Sequence, residues 1–350
     1  MEVRFNPKLL LSLSFLALLV AQQVLGASLA AALSGGGSLN LTTSPLPISL
    51  DAKPGASVSA DLRVQNSGSE TETLKVDLEK FKAYGEQGKP QLIAREPGDS
   101  YFDWVHFSQT TFTAEPGVWK TIKMTINVPS TAAYGYYYAV IFSRANNQPT
   151  TDARSNSIIG GTATLVLLNA QTPGAKKQVD VLGFSADKKL YEFLPAKFSI
   201  RLRNSGVIHV APSGTLFIMR GKTQVAIIPV NTDKGNVLPG SNRIFTASWA
   251  DGFPHYVNKT ENGNVVLDKQ GIAEQTLKWD FSQASKLRIG HYTAKLLLVY
   301  DNGSRDVPVE GTLSFWVMPW KLLFLTLVFL ALSGAGLWFI GRAIWRKVKK

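Results

Sequence analysis

Lys120-Thr121-Ile122-Lys123-Met124-Thr125-Ile126-Asn127-Val128 alternates without a break. Ile122, Met124, Ile126 and Val128 fall on one side and Thr121, Lys123, Thr125 and Asn127 on the other, which is the pattern of a strand with one wet face. The neighbouring sequence reads the same way. Ser57 to Gln65, Thr73 to Phe81, Tyr136 to Ser143 and Thr162 to Asn169 are further strand-like runs, most of them rich in β-branched or aromatic residues. Breaker clusters separate such runs at Lys53-Pro54-Gly55, Asn66-Ser67-Gly68, Glu115-Pro116-Gly117 and Asp301-Asn302-Gly303. Many short strands, turn signals between them and few helical periods predict an all-β chain of immunoglobulin-like (Ig-like) β-sandwiches.

The pattern occurs twice. Ser59 to Gly68 follows Pro54 and ends Asn-Ser-Gly; Phe198 to Gly206 follows Pro195 and ends the same way, 138 residues later. Each copy then has a Pro-Gly turn, Pro116-Gly117 and Pro239-Gly240, and a strand opening on Gly and aromatics, Gly135-Tyr136 and Gly290-His291-Tyr292. Two tandem sandwiches explain the order, over residues 38–171 and 176–317. The breaker-rich Thr172-Pro173-Gly174-Ala175 marks the boundary and suggests a close connection rather than a long tether. The second copy carries an insertion, 249–286, mostly polar, read as a long loop or an added hairpin and as a candidate contact surface.

The two ends set the topology. Leu322 to Ile340 is an uncharged, mostly apolar run; at 1.5 Å per residue it spans about 28 Å, close to the roughly 30 Å of a bilayer's hydrocarbon core. A transmembrane α-helix is expected over 319–341, with Trp316 and Trp320 at its outer interface. The tail 342–350 carries Arg342, Arg346, Lys347, Lys349 and Lys350 and no acid, which by the positive-inside rule keeps it cytoplasmic and the sandwiches extracytoplasmic. Arg4 and Lys8, the apolar stretch Leu9 to Val20 and the small residues at Gly26, Ala27 and Ala30 to Ala32 have the layout of a signal peptide over 1–32, cleaved near 26–32.

Of the formal charge of +12, five positives belong to the tail, one to Lys321 and a net one to the first eight residues, which leaves five for the outer region. That is an ordinary solvated surface, without the concentrated basic stripe of a nucleic-acid protein. The chain has no cysteine, so neither disulfides nor lipid attachment to a thiol is available.

Chemistry-bearing motifs are sparse. His106, His209, His255 and His291 stand singly, without the convergent ligands that a zinc site needs. No phosphate loop or nucleophile elbow occurs, and Asp99 and Asp103 form only a loose carboxylate pair. The expectation is a non-enzyme with no cofactor and no metal. The aromatic strand offers a possible surface instead. Tyr134, Tyr136, Tyr138 and Phe142 share one face and Tyr137, Ala139 and Ile141 the other, so both faces are apolar. Such a strand either fills the core on one side and packs on a loop or the next domain on the other, or presents Tyr136 and Tyr138, with Trp104 or Trp119 nearby, as a ligand or partner surface.

Taken in order, a signal peptide, Pro54-Gly55, Asn66-Ser67-Gly68, the segment Phe112 to Pro129 in the form Phe-Thr-x-x-Pro-Gly…Thr-Ile-x-Val-Pro, a Gly-aromatic strand, a second sandwich with Gly290-His291-Tyr292 and a basic-tailed helix resemble the bacterial WxL-interacting cell-surface proteins. The resemblance spans most of the chain and implies a first domain associated with peptidoglycan and a second with a host or partner protein. The resulting expectation is a single-pass protein of the cytoplasmic membrane whose outer domains bind cell wall or an envelope or host protein. The alternative is an accessory subunit of a membrane complex, with Ala331 and Ala335 as a small-residue pair on the helix.

Overall fold

The computed structural model describes residues 39–146, 150–152 and 157–348. The signal peptide expected over 1–32 and the last two residues of the basic tail lie outside them.

Two β-sandwiches follow one another. In the first, β1 (Leu41–Ser44), β3 (Ser57–Asn66), β8 (Trp119–Asn127) and β6 (Val105–Phe107) form one sheet in the order β1-β3-β8-β6. The facing sheet runs β2 (Ile48–Ala52), β12 (Gly161–Ala170), β9 (Tyr134–Arg144), β4 (Glu72–Tyr84), β5 (Lys89–Ile93), with β7 (Thr111–Ala114) also on β4. A small hairpin pairs β10 (Thr150–Asp152) with β11 (Ser157–Ile159).

The second sandwich repeats this connectivity. β13 (Val179–Ala186), β15 (Ala196–Asn204) and β18 (Asn242–Trp249) form one sheet. β14 (Leu190–Tyr191), β24 (Asp306–Val317), β23 (Gly290–Asp301), β16 (Ser213–Arg220) and β17 (Thr223–Val230) form the other, in that order. In both copies the first strand divides between the two sheets and its second half pairs parallel with the last strand, β2 with β12 and β14 with β24, while the other ladders are antiparallel. The fold is thus two tandem Ig-like sandwiches.

Alternation produces the cores. Ile122, Met124 and Ile126 of β8 are fully buried while Thr121, Lys123 and Asn127 are exposed. Ala196, Phe198, Ile200, Leu202 and Asn204 of β15 are buried in strict alternation. Each domain closes on its own core, one around Leu62, Ile122, Val140 and Phe142 and the other around Phe198, Leu216, Trp249 and Phe315.

The two Asn-Ser-Gly turns are equivalent bond for bond. Asn66 donates through Nδ2 to the carbonyls of Glu70 (2.6 Å) and Ala114 (3.1 Å), and its Oδ1 accepts from Gly68 N–H at 2.9 Å. Asn204 donates to Ile208 (2.7 Å) and Val237 (2.8 Å) and accepts from Gly206 N–H at 2.8 Å. The glycine of each Pro-Gly turn, with φ of 71° at Gly117 and 68° at Gly240, donates its N–H to the asparagine's own carbonyl. Asparagine suits the site because it both donates and accepts next to buried backbone, and only glycine holds that φ without strain.

The insertion 249–286 is an added hairpin rather than a loop. β19 (His255–Asn258) pairs β22 (Gln275–Lys278), and β20 (Thr260–Glu261) with β21 (Asn264–Val265) forms its tip. After β24 only Met318 and Pro319 intervene before the helix α1 (Trp320–Val348). Its segment Trp320–Arg342 has a mean hydropathy of 2.2 with none of it buried, long and apolar enough to cross a membrane.

Candidate functional site

The β4–β5 hairpin of the first sandwich reaches the second. Gly85 and Gly88 take φ of 60° and 73° and turn the chain so that Glu86 projects. Its carboxylate accepts from Arg201 Nε (2.8 Å) and Nη2 (2.5 Å) and from Asn242 Nδ2 (3.0 Å). Those donors hold the Glu86 carboxyl below its ordinary pKa, Arg201 first. The Glu86 carbonyl accepts the N–H of Ile244 at 2.7 Å, capping the open edge of β18. At the connecting segment, Thr172 donates to the Ala132 carbonyl at 3.2 Å, and within the second sandwich Ser205 and Val207 N–H bond the carbonyls of Gln178 and Lys176 at 3.0 and 2.8 Å.

Between the hairpin and the facing loops of the second sandwich lies a groove of about 420 Å³. Its first wall is the outer face of the β12-β9-β4 sheet, with Phe81, Leu165 and Leu167, continued by Leu46 and Pro47; its second is Asp233, Gly235, Leu238 and Arg243. Arg243 lies between two glycines: a Cβ on Gly88 would come within 2.3 Å of its Cζ, and one on Gly235 within 2.5 Å of Nη2. The guanidinium donates to the Asn236 carbonyl at 2.7 Å and sits 5.1 Å from the centre of the Phe245 ring. Burial pulls its pKa below the usual arginine value, and no carboxylate among the described residues pairs with it.

The aromatic strand has both faces covered. Tyr138, Val140 and Phe142 point into the first core. Ala139 and Ile141 on the other face are buried as well, outside that core, and Tyr137 there packs edge-on against Phe81 and His209, the latter from the second sandwich.

That arrangement is the covered-strand reading, and it corrects the alternative of an exposed aromatic surface built from Trp104, Trp119, Tyr136 and Tyr138. Tyr138 is fully buried, its hydroxyl donating to the Tyr101 carbonyl at 3.2 Å. Tyr136 and Trp104 are half-buried against each other, rings 4.7 Å apart, and both pack on Tyr101. The 3-10 turn Ser100–Trp104 lies over the strand end and takes up the surface it would have offered. Trp119 stands apart on β8, partly exposed, under the guanidinium of Arg63 at 4.8 Å.

Asp99 serves the loop, accepting from Glu96 N–H at 2.6 Å and from Lys80 Nζ at 2.9 Å, while Asp103 is exposed. Among the described residues no group of three or more His, Asp or Glu is placed to hold a metal ion. Arg243 and Glu86 carry the groove and its frame, and neither stands out in the sequence. The available signals were the Gly85-Glu86-Gln87-Gly88 turn and a cation just after the Pro239-Gly240 turn.

No protein-family model and no curated protein matches the chain. Solved structures similar to it include the class 5 fimbriae chaperone CfaA, 12% identical with a TM-score of 0.35, covering 78% of this chain and 98% of that one. The CsuC-CsuE chaperone-tip adhesion subunit complex of Acinetobacter baumannii is 12% identical with a TM-score of 0.34, over 77% and 97% of the two chains. The YadV chaperone is 11% identical with a TM-score of 0.33, over 79% and 100%. A likeness of this degree carries no argument about activity or partners, and the sandwich architecture rests on the strand pairing itself.

Proposed function

We propose that this chain is a single-pass protein of a bacterial cytoplasmic membrane that holds a polypeptide partner in the groove between its two outer sandwiches. The signal-like leader, the apolar helix and the basic tail support this placement, as does the order of motifs that resembles the WxL-interacting proteins. The observation that carries the binding reading is Arg243, a guanidinium set into a mostly apolar groove with Asp233 on the same wall but no carboxylate among the described residues in salt-bridge contact with it. Taking a charge out of water costs several kcal/mol unless a counter-charge offsets it. An extended segment with apolar side chains along Phe81, Leu165 and Leu167 and an acidic group at Arg243 satisfies both features.

A photocrosslinking amino acid at Leu165 in living cells tests the proposal, with Lys123 on the opposite sheet as control. Adducts with one defined envelope protein at Leu165 and not at Lys123 are expected. Adducts only with peptidoglycan fragments would replace the protein partner by the wall, and equal labelling at the two positions would remove the groove from consideration.

A further inference from the structure

The hairpin inserted in the second sandwich lies next to the start of α1. Trp316 N–H donates to the Lys189 carbonyl at 2.8 Å and Met318 N–H to the Tyr191 carbonyl at 2.7 Å, so the chain enters the helix while still bonded to the sandwich. At the second residue of the helix, Lys321 Nζ pairs with Glu192 at 2.8 Å. Tyr256 and Gln275 of the hairpin, Phe193, Trp320 and Lys321 line one cavity. The helix start and the insertion are therefore neighbours, fixed by short bonds rather than by a tether.

From there an aromatic chain runs outward. Phe193 meets Tyr256 and Trp279, both at 6.3 Å between ring centres; Trp279 meets Phe253 at 5.9 Å and Phe281 at 6.2 Å, nearly parallel. Its far end is open: Trp279 is 48% and Phe281 73% exposed. Contiguous exposed aromatics are uncommon on a wet surface and mark an interaction site. Trp and Phe at the level where a helix enters a bilayer have a specific fit there, because such rings partition to the headgroup boundary.

We infer that Trp279 and Phe281 sit in the outer headgroup layer of the same bilayer that α1 enters, making the inserted hairpin a second membrane contact that fixes the tilt of the sandwiches. The inference rests on the reading of α1 as a membrane span, and its occupant is the lipid surface rather than a protein. The contact adjoins the helix start, because Phe193, which meets Trp279, lines one cavity with Trp320. It leaves the groove around Arg243 free, since that groove involves neither the hairpin nor Phe193.

The cysteine-free chain allows a clean test. Single-cysteine full-length variants are labelled with an environment-sensitive fluorophore and reconstituted in vesicles of phosphatidylcholine and phosphatidylglycerol containing nitroxide-bearing lipid. Ser285→Cys reports beside the intact aromatic patch, Leu330→Cys reports the helix, and Ser304→Cys reports the turn at the opposite end of β24. Quenching at Ser285→Cys several-fold above Ser304→Cys is expected, falling to the Ser304→Cys level when Trp279→Ser and Phe281→Ser are added. Equal quenching at Ser285→Cys and Ser304→Cys with strong quenching at Leu330→Cys overturns the hairpin contact alone. Absence of quenching at Leu330→Cys overturns the membrane reading beneath it, and the hairpin contact with it.

Discussion

The hydroxyl of Tyr137 in the first sandwich accepts the backbone N–H of His209 in the second at 3.0 Å, and the His209 ring stands edge-on to it at 5.8 Å. The contact seals the junction around an imidazole that cannot easily be charged. Burial lowers the His209 pKa to about 4, with Lys177 adding slightly and Asp51 opposing.

The shift makes stability depend on pH. Above about pH 6.5, the ordinary histidine value, both folded and unfolded chains carry a neutral ring and the full stability is present. As pH falls from there to about 4, the unfolded chain takes up a proton that the folded one refuses, so stability declines; below about 4 this group costs nothing further. The loss is on the order of 3 kcal/mol at 1.36 kcal/mol per pKa unit. His209→Phe should flatten the difference in urea midpoint between pH 4.5 and pH 7.5, and an unchanged difference would contradict the assignment.

Glu86→Ala should loosen the two domains without unfolding either, because each has its own core. The readout is hydrogen exchange at the Ile244 amide, which should accelerate several-fold as the Glu86 carbonyl loses its fixed position. Gly88→Val should act more strongly. It places a β-branched residue at a φ of 73° with its Cβ inside the Arg243 guanidinium, so small-angle scattering should show a larger maximum dimension than for Glu86→Ala.

Asn204→Ala leaves the Ile208 carbonyl without its side-chain donor and the Gly206 N–H without its acceptor, while the Val237 carbonyl keeps the Val210 N–H, and should cost about 2 to 4 kcal/mol in denaturant midpoint analysis. Asn204→Asp should be no better, since a carboxylate cannot donate. Asn66→Ala should cost less, because the Glu70 carbonyl that it serves is partly accessible to water.

Trp249 packs edge-on against Tyr292 and Phe315 in the second core, and its buried Nε1 has no partner. Trp249→Ala should cost about 3 to 5 kcal/mol, while Trp249→Phe, which removes an N–H that bonds nothing, should cost about 1 to 2 kcal/mol. Exchange protection at Leu62 and Ile122 in the other domain should be unchanged in both variants.

The sandwich class and the tandem repeat could be read from residues because they rest on local rules. The alternation through Ile122, Met124 and Ile126 reports one buried face directly, and the Asn-Ser-Gly and Pro-Gly turns report backbone geometry that few other residues tolerate. The two apolar faces of the Tyr136 to Ser143 strand were equally visible, but the cover over each was not. Tyr101 and Trp104 come to Tyr136 from a turn more than thirty residues away, and His209 reaches Tyr137 from the other domain. Periodicity says that a face is apolar, and only the long-range contacts decide whether water, a loop or a neighbouring domain covers it. Glu86 and Arg243 were invisible for the same reason: each is an unremarkable charge next to a turn until the other domain is brought against it.

The two-residue passage from β24 into α1 has a mechanical meaning. A pull on the helix along the line of β24 loads its ladder with β23 over all twelve residue pairs at once, in shear, and the parallel pairing with β14 shares the load. A strand peeled from its end would break those bonds one by one, whereas this one resists until many fail together. In the proposed arrangement, tension between a bound partner and the membrane would therefore be carried through the stiffest direction of the second sandwich.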